Sequence, residues 1–255
     1  MIANAASFVL PISNPANLVL CGSEMPPLWP WLKQFAVPSV LSIAATYAVL
    51  RSRYRHELGG EILASIPDPG LRNGARYTAY GIGAAAIALL LASGFDVQLG
   101  APTLAAGAAT ALFVLLEKGE APWPLLRGVT WSVLPLVAGL FVLVEGLNHT
   151  GIVPQLTELL KWAMSQSAAA TAWIAGAGLA FVSNAMNNLP AGLIAESAVT
   201  PAHARAVVKG ALLIGVDLGP NLSVTGSLAA ILWLVALKRE GLSCTAAEFL
   251  KIAPW

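Results

Sequence analysis

The sequence predicts an all-α polytopic membrane protein, and two observations carry that prediction. The first is composition. Hydrophobic residues make up 57% of the 255-residue chain and charged residues only 11%, where an average soluble domain is about 25% charged. Mean hydropathy is +0.72. A soluble fold of this size has too little polar surface to cover so much apolar side chain, whereas lipid solvates it directly. The second is pattern. Apolar residues gather in long runs of the kind a helical crossing requires, about 20 residues each, and no alternation of the barrel-strand type accompanies them.

In chain order the runs are Ile2–Leu20, Phe35–Leu50, Tyr77–Phe95, Leu99–Leu116, Trp131–Leu147 and Val207–Leu237. A further apolar region, Ala168–Val199, is interrupted at Ser183–Pro190. Backbone groups in lipid must be bonded within their own element, so each run is expected to be helical. Basic residues in short loops orient the chain. Arg51, Arg53, Arg55, Arg72 and Arg76 follow the second run and are expected on the cytoplasmic side. Alternation then puts Lys118, Arg127, Lys238, Arg239 and Lys251 inside and the segment Asn148–Gln166 outside, with Arg205 and Lys209 as exceptions. Trp29, Trp31, Trp123 and Trp131 stand near the ends of runs, where tryptophans anchor helices at the interface. The small-residue runs Gly81–Ala86 and Ala105–Ala109 would let helices approach closely.

The balance of the chain excludes other classes. A net charge of +1 excludes an electrostatic nucleic-acid binder. Cys21 and Cys244 form no metal or disulfide spacing and read as small apolar fillers. His56, His149 and His203 fall in loops without ligand spacing, so neither metal nor cofactor is expected. An intramembrane hydrolase would need Ser with His, or paired acids, at depth, and the chain offers one acid and no histidine there. No P-loop is present, so any ATP use would lie on another chain.

Three places break the pattern of an inert membrane helix. One is Pro11-Ile12-Ser13-Asn14-Pro15-Ala16-Asn17, where two prolines remove backbone donors and Ser13, Asn14 and Asn17 add polar groups. Another is Ser183–Pro190, with Asn184, Asn187 and Asn188. The last is Gly215–Ser227, which holds Asp217, Asn221, Thr225 and Ser227. Irregular backbone at membrane depth survives only against protein or a watery cavity, and polar groups there are functional candidates by default. Ile12-Ser13-Asn14-Pro15 can be laid on Val224-Thr225-Gly226-Ser227, and the two runs have opposite expected directions. Interrupted segments at matching positions of inverted halves point to a transporter's site. The middle break fits a re-entrant hairpin, since Ala168–Val182 and Ala191–Val199 are each short for a crossing.

These residues carry a family resemblance. Asn4–Asn17, Ser183–Ala191 and Asp217–Ala229 closely resemble the corresponding stretches of ArsB-type arsenite efflux permeases, members of the ion transporter superfamily. The resemblance extends over nearly the whole chain. It implies part of an inverted-repeat transporter fold in which each half holds a re-entrant hairpin and a broken transmembrane helix. On it, 1–31 is the broken helix ending the first repeat, 32–130 are connecting spans and cytoplasmic loops, and 131–255 is the second repeat, with hairpin 168–199 and broken helix 206–237. The resemblance also implies that the chain is shortened at both ends, since family members begin with several helices and a first hairpin before this point and continue with a further helix.

The function implied by the resemblance is efflux of arsenite or antimonite across the bacterial inner membrane, coupled to protons, with arsenic resistance as the outcome. Arsenite near neutral pH is an uncharged trihydroxide. It needs hydrogen-bond donors and acceptors, which Asn, Ser and Thr both supply. The resemblance assigns solute binding to Ser13, Asn14, Asn17, Asn184, Asn187, Asn188, Asn221, Thr225 and Ser227, and Asp217, the one acid inside a break, is the candidate for proton coupling. Expected partners are the solute, protons and the lipid bilayer, with a soluble ATPase subunit and a second copy of the chain as further candidates. The alternatives are an anion or dicarboxylate carrier or a Na⁺/H⁺ exchanger of the same superfamily, or a shortened chain inactive by itself. The absence of Arg and Lys from all three breaks favours a neutral solute.

Overall fold

The computed structural model describes residues 1–56, 73–95, 97–119, 121–129, 131, 133–242 and 244–252. Among these residues every regular element is a helix: α1 (Ile2–Ala5), α2 (Pro15–Cys21), α3 (Leu28–Arg53), α4 (Asn73–Gly94), α5 (Gly100–Lys118), α6 (Trp123–Gly128), α7 (Val133–His149), α8 (Ile152–Gln166), α9 (Ala168–Met186), α10 (Asn188–Val199), α11 (Ala206–Leu218), α12 (Leu228–Arg239) and α13 (Ala246–Ile252), with 3₁₀ turns at Gly22–Glu24 and Gly219–Leu222. Four of them are long and apolar enough to cross a membrane: Leu28–Arg53, Gly74–Gly94, Gly100–Lys118 and Ala168–Met186. Large apolar side chains such as Leu104 at 75% and Trp173 at 82% exposure face outward, the arrangement that hydrocarbon rather than water stabilises.

The polar punctuation expected in the first and last runs divides each into two half-helices. Pro15 sits in the first turn of α2, where its missing N–H costs nothing, and the Asn14 side chain caps that helix by accepting from the Ala16 N–H at 3.0 Å. Ser227 does the same for α12, accepting from the Ala230 N–H at 3.1 Å. Between α9 and α10 the reversal is made by Asn187 alone.

The core lies beside the breaks. Phe8, Trp31, Phe35, Leu212, Leu213 and Val216 are among its buried members. Trp31, an interface anchor by its place in the sequence, is instead fully buried. Its indole Nε1–H donates to the Phe8 carbonyl at 3.0 Å and its ring lies 4.6 Å from that of Phe35. The irregular backbone of the first break needs a donor, and a buried indole supplies one without leaving its own N–H unpaired. Trp29, Trp123 and Trp131 are exposed, as interface anchors are.

Other departures concern boundaries. α3 begins at Leu28, seven residues ahead of the apolar run starting at Phe35. Arg51 and Arg53 occupy its last turn, where cations complement the helix dipole; Arg76 falls within α4, and Arg72 lies outside the described residues. The segment 148–166, expected outside and given no span, folds largely into α8, which buries Val153, Thr157 and Met164 against its neighbours and leaves Glu158 and Lys161 to pair at 2.8 Å on its exposed face. The first arm of the hairpin, α9, has 19 residues rather than the 15 of Ala168–Val182, a length of about 28 Å, because Ser183 and Asn184 bond back to the Ala180 carbonyl and continue the helix instead of ending it. α10 is short, 12 residues.

α9 and α11 pack along a seam of small residues. A Cβ on Gly215 would overlap the Gly176 carbonyl, and one on Gly219 would overlap the Ala180 carbonyl and Ser183 Oγ. The spacing Gly215-x-x-x-Gly219 against Gly176-x-x-x-Ala180 brings the two backbones into direct contact. α4 and α5 also approach closely, Gly81 against the Thr110 side chain, with Tyr77 and Phe113 edge to face at 5.4 Å.

Candidate functional site

The three breaks meet one another, and they do so through polar side chains bonded between segments remote in sequence. Asn14 uses both ends of its amide: Oδ1 caps α2, and Nδ2 donates to Asp217 Oδ1 at 2.7 Å, joining the first broken helix to the second. Asn4 is the second link. Its Nδ2 donates to Asn221 Oδ1 at 3.0 Å, and its Oδ1 accepts from Ser227 Oγ at 3.2 Å.

The hairpin tip is tied to the second broken helix at three levels. Asn184 Nδ2 donates to the Gly219 carbonyl at 2.6 Å as well as to Ala180 in its own helix at 2.7 Å. Asn187 Nδ2 donates to the Thr225 carbonyl at 2.9 Å while its Oδ1 accepts from the Leu189 N–H. The Asn188 N–H donates to the Gly226 carbonyl at 2.9 Å. Asn187 reaches these partners with φ 77° and ψ 154°, a conformation that costs a non-glycine residue on the order of 1–3 kcal/mol. Its bonds to Thr225 and Leu189, and the bond of its neighbour Asn188 to Gly226, hold it there.

The remaining candidates fall in different places. Asn17 is fully buried and closes the first break on itself, donating from Nδ2 to the Ser7 carbonyl at 2.8 Å and to Leu10 at 3.4 Å. Ser13 is exposed, and its Oγ accepts from the Leu10 N–H, apart from the bonds between segments. Thr225 contributes its carbonyl while the residue itself is exposed. Asn221 and Ser227 both bind Asn4. Asn4 has no role of its own in the sequence motif; it is 5% exposed and belongs with the rest.

The three breaks hold buried acceptors that have no donor. Asn17 Oδ1, Asn184 Oδ1, Asn188 Oδ1 and Asp217 Oδ2 are buried without a hydrogen-bond partner among the described residues. For Asn17 and Asn184 the amide orientation follows from the carbonyls that their Nδ2 atoms serve, so the bare atom is the oxygen. Unpaired buried acceptors are rare and costly. A ligand with hydroxyl protons or a cation complements them; an anion does not. Lys209, the cation on α11, is engaged elsewhere, at 2.6 Å from Glu24 in the turn after α2.

Two apolar grooves of about 540 and 550 Å³ run along α9, one against α8 and α10 and the other against α11 and Phe35. None of the candidate residues lines either of them, and apolar linings give a polar solute nothing to bond. The polar side chains at the breaks lie apart from both grooves.

The two broken helices are also built alike. Asn14 and Ser227 are both side-chain caps of the second half-helix. Aligned by sequence alone, Pro15 pairs with Ser227; the caps move the register by one residue, Asn14 with Ser227, because the cap side chain and not the proline is the element both breaks share.

Comparison with known proteins identifies the family. The model of the family described as citrate transporter, CitMHS, matches residues 1–237. The arsenical pump membrane protein of Yersinia enterocolitica is 29% identical over 255 residues, covering 95% of this chain and 58% of its own length. That of Escherichia coli strain K12 is 30% identical over 259 residues, again covering 95% and 58%. A putative arsenical pump membrane protein of Bacillus subtilis is 28% identical over 135 residues, 51% of this chain and 30% of its own. The chain thus spans about 58% of the length of the first two of these relatives. No solved structure gives a significant match.

Proposed function

The chain belongs to the citrate transporter family, multi-pass transporters of the bacterial inner membrane and not enzymes, and from that premise we propose that it moves arsenite or antimonite out of the cell and so confers arsenic resistance. The observation that carries this reading is the set of four donor-less buried oxygens on Asn17, Asn184, Asn188 and Asp217, with no lysine or arginine in any break. A neutral trihydroxide brings three O–H donors to such a site. A citrate or dicarboxylate would bring further acceptors to acceptors, and would need cations that the breaks lack. The arsenical pump names of the relatives favour the same solute.

In this mechanism Asn184, Asn187 and Asn188 on the hairpin tip, and Ser13, Asn14, Asn17, Asn221, Thr225 and Ser227 on the broken helices, exchange their internal hydrogen bonds for bonds to the solute hydroxyls. Asp217 accepts a proton on the free Oδ2 and returns it on the other face, coupling solute movement to the proton gradient. Drive by a soluble ATPase subunit is the competing arrangement.

The test is arsenite resistance and cell-associated arsenic in an efflux-deficient bacterium expressing this 255-residue chain. Lower accumulation that disappears on Asn188→Leu is expected. Unchanged accumulation with the chain present in the membrane overturns the reading for this chain. Asp217→Asn is expected to abolish dependence of transport on the proton gradient; retained dependence removes Asp217 from that role. Competition by succinate, citrate or Na⁺ in place of antimonite would move the assignment to the other solutes of the superfamily.

A further inference from the structure

Asn4 and Asp217 hold equivalent places. Each is the penultimate residue of the half-helix that enters a break, α1 ending at Ala5 and α11 at Leu218. Ten positions separate Asn4 from Asn14, and ten separate Asp217 from Ser227, the caps of the half-helices that leave. Both are buried, at 5% and 0% exposure. The bonds between the broken helices are equivalent too. In one, the cap Asn14 donates to Oδ1 of Asp217; in the other, the cap Ser227 donates to Oδ1 of Asn4. In both, the same cap residue simultaneously accepts a backbone N–H of its own helix.

We propose that Asn4 is the counterpart of Asp217 and a positioning residue of the solute site, so that the site is framed by two interchangeable posts of which only one carries an acid. Asn4 acts through Asn221 and Ser227, whose polar atoms it orients. Each post presents Oδ1 to a cap donor. They differ at the second atom: Asn4 Nδ2 is committed to Asn221, whereas Asp217 Oδ2 has no partner among the described residues. A carboxylate moved from position 217 to position 4 therefore meets a neutral cap donor again, the Ser227 hydroxyl in place of the Asn14 amide. The neighbouring Asn221 Oδ1 then becomes the acceptor for a protonated oxygen.

The posts frame the proposed arsenite site, and their role there rests on that reading only for solute protection; their equivalence is tested independently of it. The full chain in native membranes is treated with dicyclohexylcarbodiimide, a lipid-soluble reagent that modifies buried carboxyls, and the modified residue is found by mass spectrometry. Labelling at Asp217 is expected in the wild type, loss of the intramembrane label in Asp217→Asn, and its return at position 4 in Asn4→Asp/Asp217→Asn. Position 4 staying unlabelled in the double variant overturns the proposal. Arsenite is expected to slow labelling at both posts. Protection at 217 but not at 4 also overturns it, whereas equal labelling protected at neither supports the equivalence and overturns the arsenite site. Should the double variant fail to reach the membrane, cysteine pairs at 4 and 227 and at 14 and 217, bridged by a short bifunctional thiosulfonate, carry the same test: both pairs cross-link if the posts are equivalent, and one pair linking alone overturns it.

Discussion

Asn184 donates one amide group to two carbonyls, Ala180 in its own helix and Gly219 in the 3₁₀ turn that ends the second broken helix's first half. The side chain thus ties the hairpin tip to the carbonyl that opens that turn. Asn184→Ala removes that link at a cost of about 0.5–1.5 kcal/mol. Asn184→Asp places an acceptor against two acceptors and is expected to cost more. Thermal unfolding of the chain in detergent, followed by loss of monodisperse protein, should rank wild type above Ala and Ala above Asp.

Alanine at Gly219 or Gly215 drives a methyl group into the backbone of α9, whereas Gly178 on that same helix has open space around its Cβ position. Overpacking of this kind costs about 1–3 kcal/mol, and more where only backbone can yield. Gly215→Ala and Gly219→Ala should lower the unfolding temperature and the yield of folded chain in membranes, while Gly178→Ala leaves both near wild type.

Asn187 separates conformation from bonding. Glycine at 187 removes the strain of φ 77° but loses the bonds to Leu189 and Thr225; alanine loses the bonds and keeps the strain. Asn187→Ala should therefore be less stable than Asn187→Gly by about 1–3 kcal/mol. Equal stability of the two variants would mean that the turn relaxes to an ordinary conformation when its bonds are lost.

The Lys209 ammonium holds the exposed Glu24 carboxyl below its ordinary range. A depressed carboxylate adds stability that is present above its unfolded pKa and lost as pH falls through the folded value. The pair is exposed and screened by salt, so the contribution is small. Glu24→Gln should leave unfolding unchanged at neutral pH in high salt and remove a slight acid-side loss at low salt, which paired pH titrations of the two chains would read.

The helical class and the three breaks are legible in the sequence because both follow from local chemistry. Apolar runs demand helices in lipid, and Pro15, Pro190 and Pro220 with their neighbouring asparagines announce where helices stop. Boundaries are less so. Ser183 and Asn184 read as the start of a turn, yet both bond to Ala180 and lengthen α9; a polar side chain can continue a helix as well as end it, and only its partner decides. Trp31 reads as an interface residue because position in a run says nothing about which face of α3 meets Phe8. Asn4 escapes a reading from sequence because its partners, Asn221 and Ser227, are 217 and 223 positions away. α8 is hidden in a mixed polar segment whose apolar residues occupy one side.

The seam of Gly176, Ala180, Gly215 and Gly219 has a mechanical consequence. Backbones in direct contact resist sliding, because a shift along the seam drives neighbouring side chains into the carbonyls that now face Gly215 and Gly219. α9 and α11 are thereby expected to move as a unit, with Asp217 and the hairpin tip carried together.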